Sequence, residues 1–185
     1  GADLLTLAGQ KLYAPKGVGA LYVRTGIALE PLIHGAGQES GRRAGTENVP
    51  YIVGLGTACR IAAERLIASA SHMAAMRDRL WTRLEAKLGA RVVLNGHPHE
   101  RLPNTLNVSF AGCIGAELLA SLPGLAASTG SACHDGRISI SPVLAAMGIE
   151  PDIARGAVRF SVGRGTSERE VERAAAMVTE YVLGR

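Results

Sequence analysis

Aromatic residues make up only 4% of this 185-residue chain, and only three of its 20 basic residues are lysines, Lys11, Lys16 and Lys87. Few aromatics means few platforms for stacking bases. The net charge of +4 is a mild excess of arginine interspersed with Glu and Asp, not a basic run. Both features argue against nucleic-acid binding. Cysteine is sparse too: Cys59, Cys113 and Cys133 are an odd, widely spaced set. They form neither a disulfide framework nor a paired metal-ligand motif. His34, His72, His97 and His99 also lack ligand spacing, so no metal is expected. Free thiols point to a reducing, cytoplasmic setting. No apolar run reaches membrane-spanning length, because Arg60 and Glu64 interrupt the best candidate, so no membrane partner is expected. The opening "GADLLTLAGQ" has no basic segment of the signal-peptide kind and no initiator Met. The chain is expected to begin partway through a larger protein.

What remains is the composition of a folded chain, 47% hydrophobic and 19% charged. "DLLTLAG" reads as a buried strand ending at Gly9, and residues 18–24 as the next strand. Residues 34–48 form a Gly-rich polar loop. Pro50 suits a helix start, with Ile52, Leu55, Cys59, Ala62 and Leu66 at helical spacing. A second helix is expected over about 71–88, with Met73, Met76, Leu80, Leu84 and Leu88 as its stripe and Gly89 as its stop. Residues 91–94 and 105–110 read as strands. In the latter, Leu106, Val108 and Phe110 alternate with Thr105, Asn107 and Ser109. A helix at 114–121, a short strand near 125–127, a helix at 141–147 and an alternating strand at 157–162 follow. Ser167 and Glu170 have capping-box spacing for a last helix. Strands and helices alternate throughout, so the fold class is α/β to α+β. Residues 1–68 read as the end of one domain and 69–185 as a smaller one.

Four places could carry chemistry. Lys11 follows a strand end, where ligands gather in open α/β sheets, and an amine there can form a Schiff base with an aldehyde cofactor. Position alone favours a lysine that simply snorkels from a strand end. In the loop at 34–48, four glycines with Arg42, Arg43 and Thr46 precede a helix N-terminus, which suits a phosphate but also an ordinary connection. Arg159 lies on the strand face opposite Val158, Phe160 and Val162, where a guanidinium can hold a carboxylate bidentately or simply meet solvent. Cys133 stands in "ASTGSACHDGRIS", among small residues that leave its thiol uncrowded, with His134 and Arg137 to favour the thiolate. An idle loop thiol fits the same stretch.

Five segments occur in an order that resembles the cysteine desulfurases, class V pyridoxal-phosphate enzymes of fold type I. They are "DLLTLAGQKLYAPKGVGALYVR", "GAGQESGRRAGTENVP", "RLPNTLNVSF", "STGSACHDG" and "AVRFSVGRGT". "ERLPNT" and "SACH" also resemble the related animal selenocysteine lyases. The resemblance covers residues 1 to about 182. It implies the C-terminal part of the large cofactor domain followed by the small C-terminal α+β domain.

By that resemblance Lys11 is the lysine that binds pyridoxal 5'-phosphate covalently, and Cys133 is the nucleophile on a mobile loop. Arg159 holds the substrate carboxylate, and Arg43 is a further active-site arginine. Thr46 reaches the cofactor phosphate of the other subunit in a homodimer. Asn107 lies on the small-domain side of the site. Gln10 stands against the cofactor where the family usually has histidine, and Ala8 replaces a common phosphate-contacting serine. Ala36 and Ser40 are further departures. The implied reaction converts L-cysteine, or L-selenocysteine, to L-alanine, with the chalcogen passed through Cys133 to an acceptor such as an iron–sulfur scaffold protein. About half of the family's chain is absent from this sequence, including the aspartate that pairs with the cofactor ring, so this piece alone is expected to be inactive. A remnant that serves only in binding or dimerisation is the competing reading.

Overall fold

The computed structural model describes residues 1–129 and 140–185. These divide into two compact units, Gly1–Leu66 and Ile67–Arg185.

In the first unit β1 (Leu4–Ala8) and β2 (Gly19–Val23) form an antiparallel pair, with Leu4 opposite Val23 and Ala8 opposite Gly19. A 3-10 turn, Gly9–Leu12, follows β1 directly. The expected burial of β1 is not found. Leu4 and Leu5 are about half exposed, as are Leu21 and Tyr22 on β2. A two-stranded ribbon has no flanking strand on either side and shields little of its own surface. The Gly-rich loop contains a short 3-10 segment, Gln38–Gly41, in which Glu39 and Ser40 both take positive φ.

The helix α1 runs unbroken from Val49 to Leu88. The sequence suggests two helices parting near residue 70, but Ala68-Ser69-Ala70-Ser71 contains neither Gly nor Pro. Alanine is the best helix former and serine costs little, so nothing there stops propagation. The stop comes where expected: Gly89 takes φ +52° and begins a 3-10 turn. Of the apolar stripe expected before residue 66, only Leu55 is buried, together with Ala58, while Ile52, Cys59 and Leu66 are exposed.

In the second unit β3 (Val92–Leu94), β4 (Thr105–Phe110) and β5 (Ala157–Ser161) form an antiparallel sheet in the order β3-β4-β5. Its apolar face carries Leu106, Val108, Phe110, Val158 and Phe160. That face packs against Met76, Leu80, Leu84 and Leu88 of α1, Leu118 of α2 (Gly115–Ser121), and Val171, Val178 and Val182 of α5 (Glu168–Leu183). Trp81 is half-buried against the same core. The alternation in β4 and β5 fixes which face is which, because a one-residue slip would turn every apolar side chain outward. Two short helices, α3 (Pro142–Ala146) and α4 (Pro151–Ala154), bring Leu144 and Ala154 onto Ala157 at one end of the opposite face. The expected strand at 125–127 is reduced to a single bridge between Ser128 and Arg159.

The expected capping box is present. The Glu170 N–H donates to Ser167 Oγ at 3.3 Å, and the Ser167 N–H donates back to Glu170 Oε2 at 2.7 Å. These bonds from the Ser167 backbone and hydroxyl hold the Glu170 carboxyl below the usual carboxylate range. A carboxyl lowered in the folded state stabilises it above the unfolded carboxylate value, and that stabilisation is lost as pH falls through the lowered one. Ser167→Ala removes the hydroxyl that caps the helix and is expected to destabilise the protein at neutral pH. The gap from the native protein should narrow below about pH 4. Urea denaturation at the two pH values checks both statements.

Candidate active site

The residues singled out from sequence fall into two groups, one in each unit.

The first unit carries Gln10, Lys11, Arg43 and Thr46. Gln10 and Lys11 lie in the turn after β1, and both are exposed. The turn is pinned by backbone bonds: the Gly9 N–H donates to Val18 O at 2.9 Å and the Ala14 N–H to Gly9 O at 3.0 Å. Gly9 is buried, and a Cβ there would come within 2.6 Å of Val18 O, so the close approach that holds the turn needs glycine. Lys11 thus extends from a fixed base, and its amine has no hydrogen-bond or ion-pair partner among the described residues. In the Gly-rich loop, Arg43 Nη1 donates to Ala44 O at 2.8 Å, and the Gly45 N–H donates to Gln38 Oε1 at 3.2 Å. Gly45 takes φ +106°, and a Cβ there would meet the Arg43 guanidinium. The glycine therefore lets that guanidinium lie over the backbone immediately before Thr46, which is exposed ahead of α1. An unpaired primary amine and an exposed hydroxyl beside an arginine suit an aldehyde cofactor that carries a phosphate.

In the second unit two donors meet. Arg159 on β5 lies directly opposite Asn107 on β4. Arg159 spends its backbone groups on Ser128, with Arg159 N–H to Ser128 O at 2.6 Å and Ser128 N–H to Arg159 O at 3.1 Å. Toward β4 it is therefore in a non-hydrogen-bonded pair, the closer kind of side-chain pairing. Arg159 and Asn107 share the polar face, and among the described residues neither the guanidinium nor the Asn107 Nδ2 has an acceptor. Two adjacent donors with no acceptor suit an anionic group, above all a planar carboxylate. Cys133, His134 and Arg137 lie outside the described residues. The described chain ahead of them ends just after Ser128, which is held to Arg159, and resumes at Ile140, packed with Leu144 and Ala157.

Two residues here were not singled out from sequence. Asn95 Nδ2 donates to Asn107 Oδ1 at 2.7 Å and to Ser109 Oγ at 2.9 Å. Both Asn95 and Ser109 are buried. Asn95-Gly96 reads simply as a turn, and nothing in the spacing shows that Asn95 faces Asn107 across the sheet. The following loop is held by arginines. Arg101 donates to Asn95 O at 3.0 Å and to His97 O at 2.8 Å, and Arg77 donates to Leu102 O at 2.8 Å. Burial first, and the nearby Arg77 second, lower the Arg101 guanidinium below its usual range. Among the described residues no cluster of His, Cys, Asp or Glu could hold a metal ion, and no helix is long and apolar enough to cross a membrane.

This hairpin with its lysine turn, followed by a long helix and a small α+β unit with a paired Arg and Asn, places the chain in a known class. It belongs to the aminotransferase class-V family, whose profile matches residues 1–174. It is 48% identical over 173 residues to a cysteine desulfurase of Gluconacetobacter diazotrophicus, spanning 92% of this chain and 43% of that protein. It is 45% identical over 183 residues to the cysteine desulfurase IscS of Methanosarcina thermophila, spanning 97% of this chain and 45% of that protein. Among solved structures a NifS-like protein aligns with a TM-score of 0.86 at 37% identity, over 99% of this chain and 47% of the other. The structure of SspA in complex with cysteine aligns with a TM-score of 0.63 at 32% identity, over 89% of this chain and 45% of that one. The chain spans less than half the length of these relatives.

Proposed function

We propose that the full-length protein is a pyridoxal-phosphate-dependent cysteine desulfurase, and that this chain supplies its lysine, its carboxylate site and its nucleophilic cysteine. The observation that carries the reading is the unshared donor pair, Arg159 and Asn107, bridged through Arg159 to the segment that leads to Cys133. The identity to proteins named cysteine desulfurase adds to it. Residues 1–68 would be the end of the cofactor domain and 69–185 the small domain.

Pyridoxal phosphate, when bound, supplies an electron-accepting ring that stabilises negative charge at the substrate Cα. Lys11 would hold it covalently and, once released, move the proton at the substrate Cα. Thr46 would bind the cofactor phosphate of the partner subunit of a homodimer, Gln10 would lie against the cofactor, and Arg43 would be a further substrate-binding arginine. Arg159 and Asn107 would hold the substrate carboxylate and so fix which way the sulfur points. The Cys133 thiolate would attack the substrate sulfur. The Cβ–S bond breaks, a sulfur–sulfur bond forms on the enzyme, and the carbon skeleton takes up protons and leaves as alanine. The persulfide then passes its outer sulfur to an acceptor protein. The "ERLPNT" and "SACH" segments favour selenocysteine as a second substrate of the same site. A reducing, cytoplasmic setting would keep Cys133 a thiol.

The test is direct. Full-length protein given L-cysteine and an external thiol should release alanine and sulfide in equal amounts. A protein that binds the cofactor but releases no alanine from either cysteine or selenocysteine would refute the assignment.

A further inference from the structure

We infer that Asn95 is a positioning residue for the substrate carboxylate: it fixes the Asn107 amide with its oxygen toward β3, leaving the Asn107 N–H donors for the site beside Arg159. The inference rests on the proposed role of Arg159 and deepens it.

Asn95 is 4% exposed and Ser109 fully buried. Burying amides and hydroxyls is costly unless each group is bonded. Here both Nδ2 hydrogens of Asn95 are used, one on Asn107 and one on Ser109. Its backbone N–H donates to Asn107 O at 3.0 Å, and its carbonyl accepts from Arg101. Asn95 Oδ1 alone is buried without a partner among the described residues. The opposite orientation of this amide would leave two buried N–H donors unpaired in place of one acceptor, so the orientation is determined. That in turn determines Asn107. With its Oδ1 accepting from Asn95, its Nδ2 is turned away from Asn95.

The amide has room to turn if that bond is lost. Asn95 and Asn107 both line a cavity of about 300 Å³, together with Thr105, Leu144 and Met147. Without the bond from Asn95, Asn107 could present either its oxygen or its nitrogen to the site. An oxygen facing a carboxylate repels it, whereas an N–H binds it. A polar group that is buried, incompletely satisfied and bonded to a residue of the carboxylate site is thereby accounted for.

Asn95→Asp tests this in the full-length holoenzyme. A carboxylate cannot donate to Asn107 Oδ1, so Asn107 must turn its NH2 toward Asp and its oxygen toward the substrate. The KM for L-cysteine is expected to rise about tenfold or more, as for loss of one hydrogen bond to a charged group, with kcat within about twofold. The discriminating measurement is inhibition by L-alanine against L-alaninamide, which lacks the carboxylate. Only the alanine constant should rise. Asn107→Asp, which still accepts from Asn95 but sets a carboxylate oxygen beside Arg159, should give the same selective loss, and it decides the matter if Asn95→Asp does not fold. Equal changes for both inhibitors, or none, would overturn the positioning role. Arg159→Leu separates the two layers. If it leaves alanine inhibition unchanged, the carboxylate site itself is wrong and this inference falls with it. If it weakens alanine inhibition while both Asp variants do not, only the positioning role falls.

Discussion

Lys11→Ala is expected to abolish the visible absorbance of bound cofactor in the full-length protein and to lower turnover of cysteine by about 10²–10⁴-fold, the usual worth of a positioned acid–base group. Both roles proposed for Lys11 would be lost at once, the covalent hold on the cofactor and the proton movement at the substrate Cα. The structure makes the experiment clean. Lys11 is exposed, its side chain bonds to nothing among the described residues, and the turn that carries it is held by backbone groups of Gly9, Ala14 and Val18. A substitution there falls among surface changes that usually stay within about 0.5 kcal/mol of stability. Loss of absorbance would then report loss of the amine and not of the fold. Within this chain the other lysines are Lys16, in the adjoining Pro/Gly turn, and Lys87, near the C-terminal end of α1, and Lys16→Ala is the matched control. Added ethylamine should restore a fraction of the activity of Lys11→Ala. Persistence of the absorbance at full strength would remove Lys11 from the site.

What the sequence made legible, and what it did not, follows physical lines. β4 and β5 were readable because one face is buried and the other is not, so Val108 and Phe160 had to alternate with Asn107 and Arg159. The last helix was readable because Ser167 and Glu170 solve a local problem, the unpaired N–H groups of a helix start. The continuity of α1 through Ala68–Ser71 was not readable from the apolar stripe, because Leu66 and Ile67 are exposed and interrupt the period, while propensity alone carries the helix through. The exposure of β1 was missed because a run of Leu and Ala gives hydrophobicity and not the number of layers that cover it. Lys11 and Arg159 were readable as candidates from their place at a strand end and on a polar face. Asn95 was not. Its meaning depends on the register that sets it beside Asn107, and register is a long-range property with no mark in a two-residue turn signal.

Cys133→Ser is expected to stop alanine release from cysteine while leaving the cofactor absorbance and the binding of alanine unchanged. A serine hydroxyl is almost wholly protonated at neutral pH and does not take sulfur as a thiolate does, so the substitution removes the chemistry with little change in volume. The structure bears on this through the anchoring of Ser128. That residue is bonded to Arg159, and Cys133 follows it by five residues, a covalent reach of at most about 18 Å. The other two cysteines of this chain cannot take its place on equal terms. Cys113 is buried in the core of the second unit, where a substrate has no access to it. Cys59 is exposed on α1, on the face of a helix and outside the motifs that resemble the family's site. Cys59→Ser should accordingly leave turnover unchanged. A persulfide found by mass spectrometry on Cys133 in the native protein, and on no cysteine in Cys133→Ser, is the expected pattern. Undiminished alanine release by Cys133→Ser would transfer the nucleophile's role elsewhere, and persulfide on Cys59 in the native protein would say where.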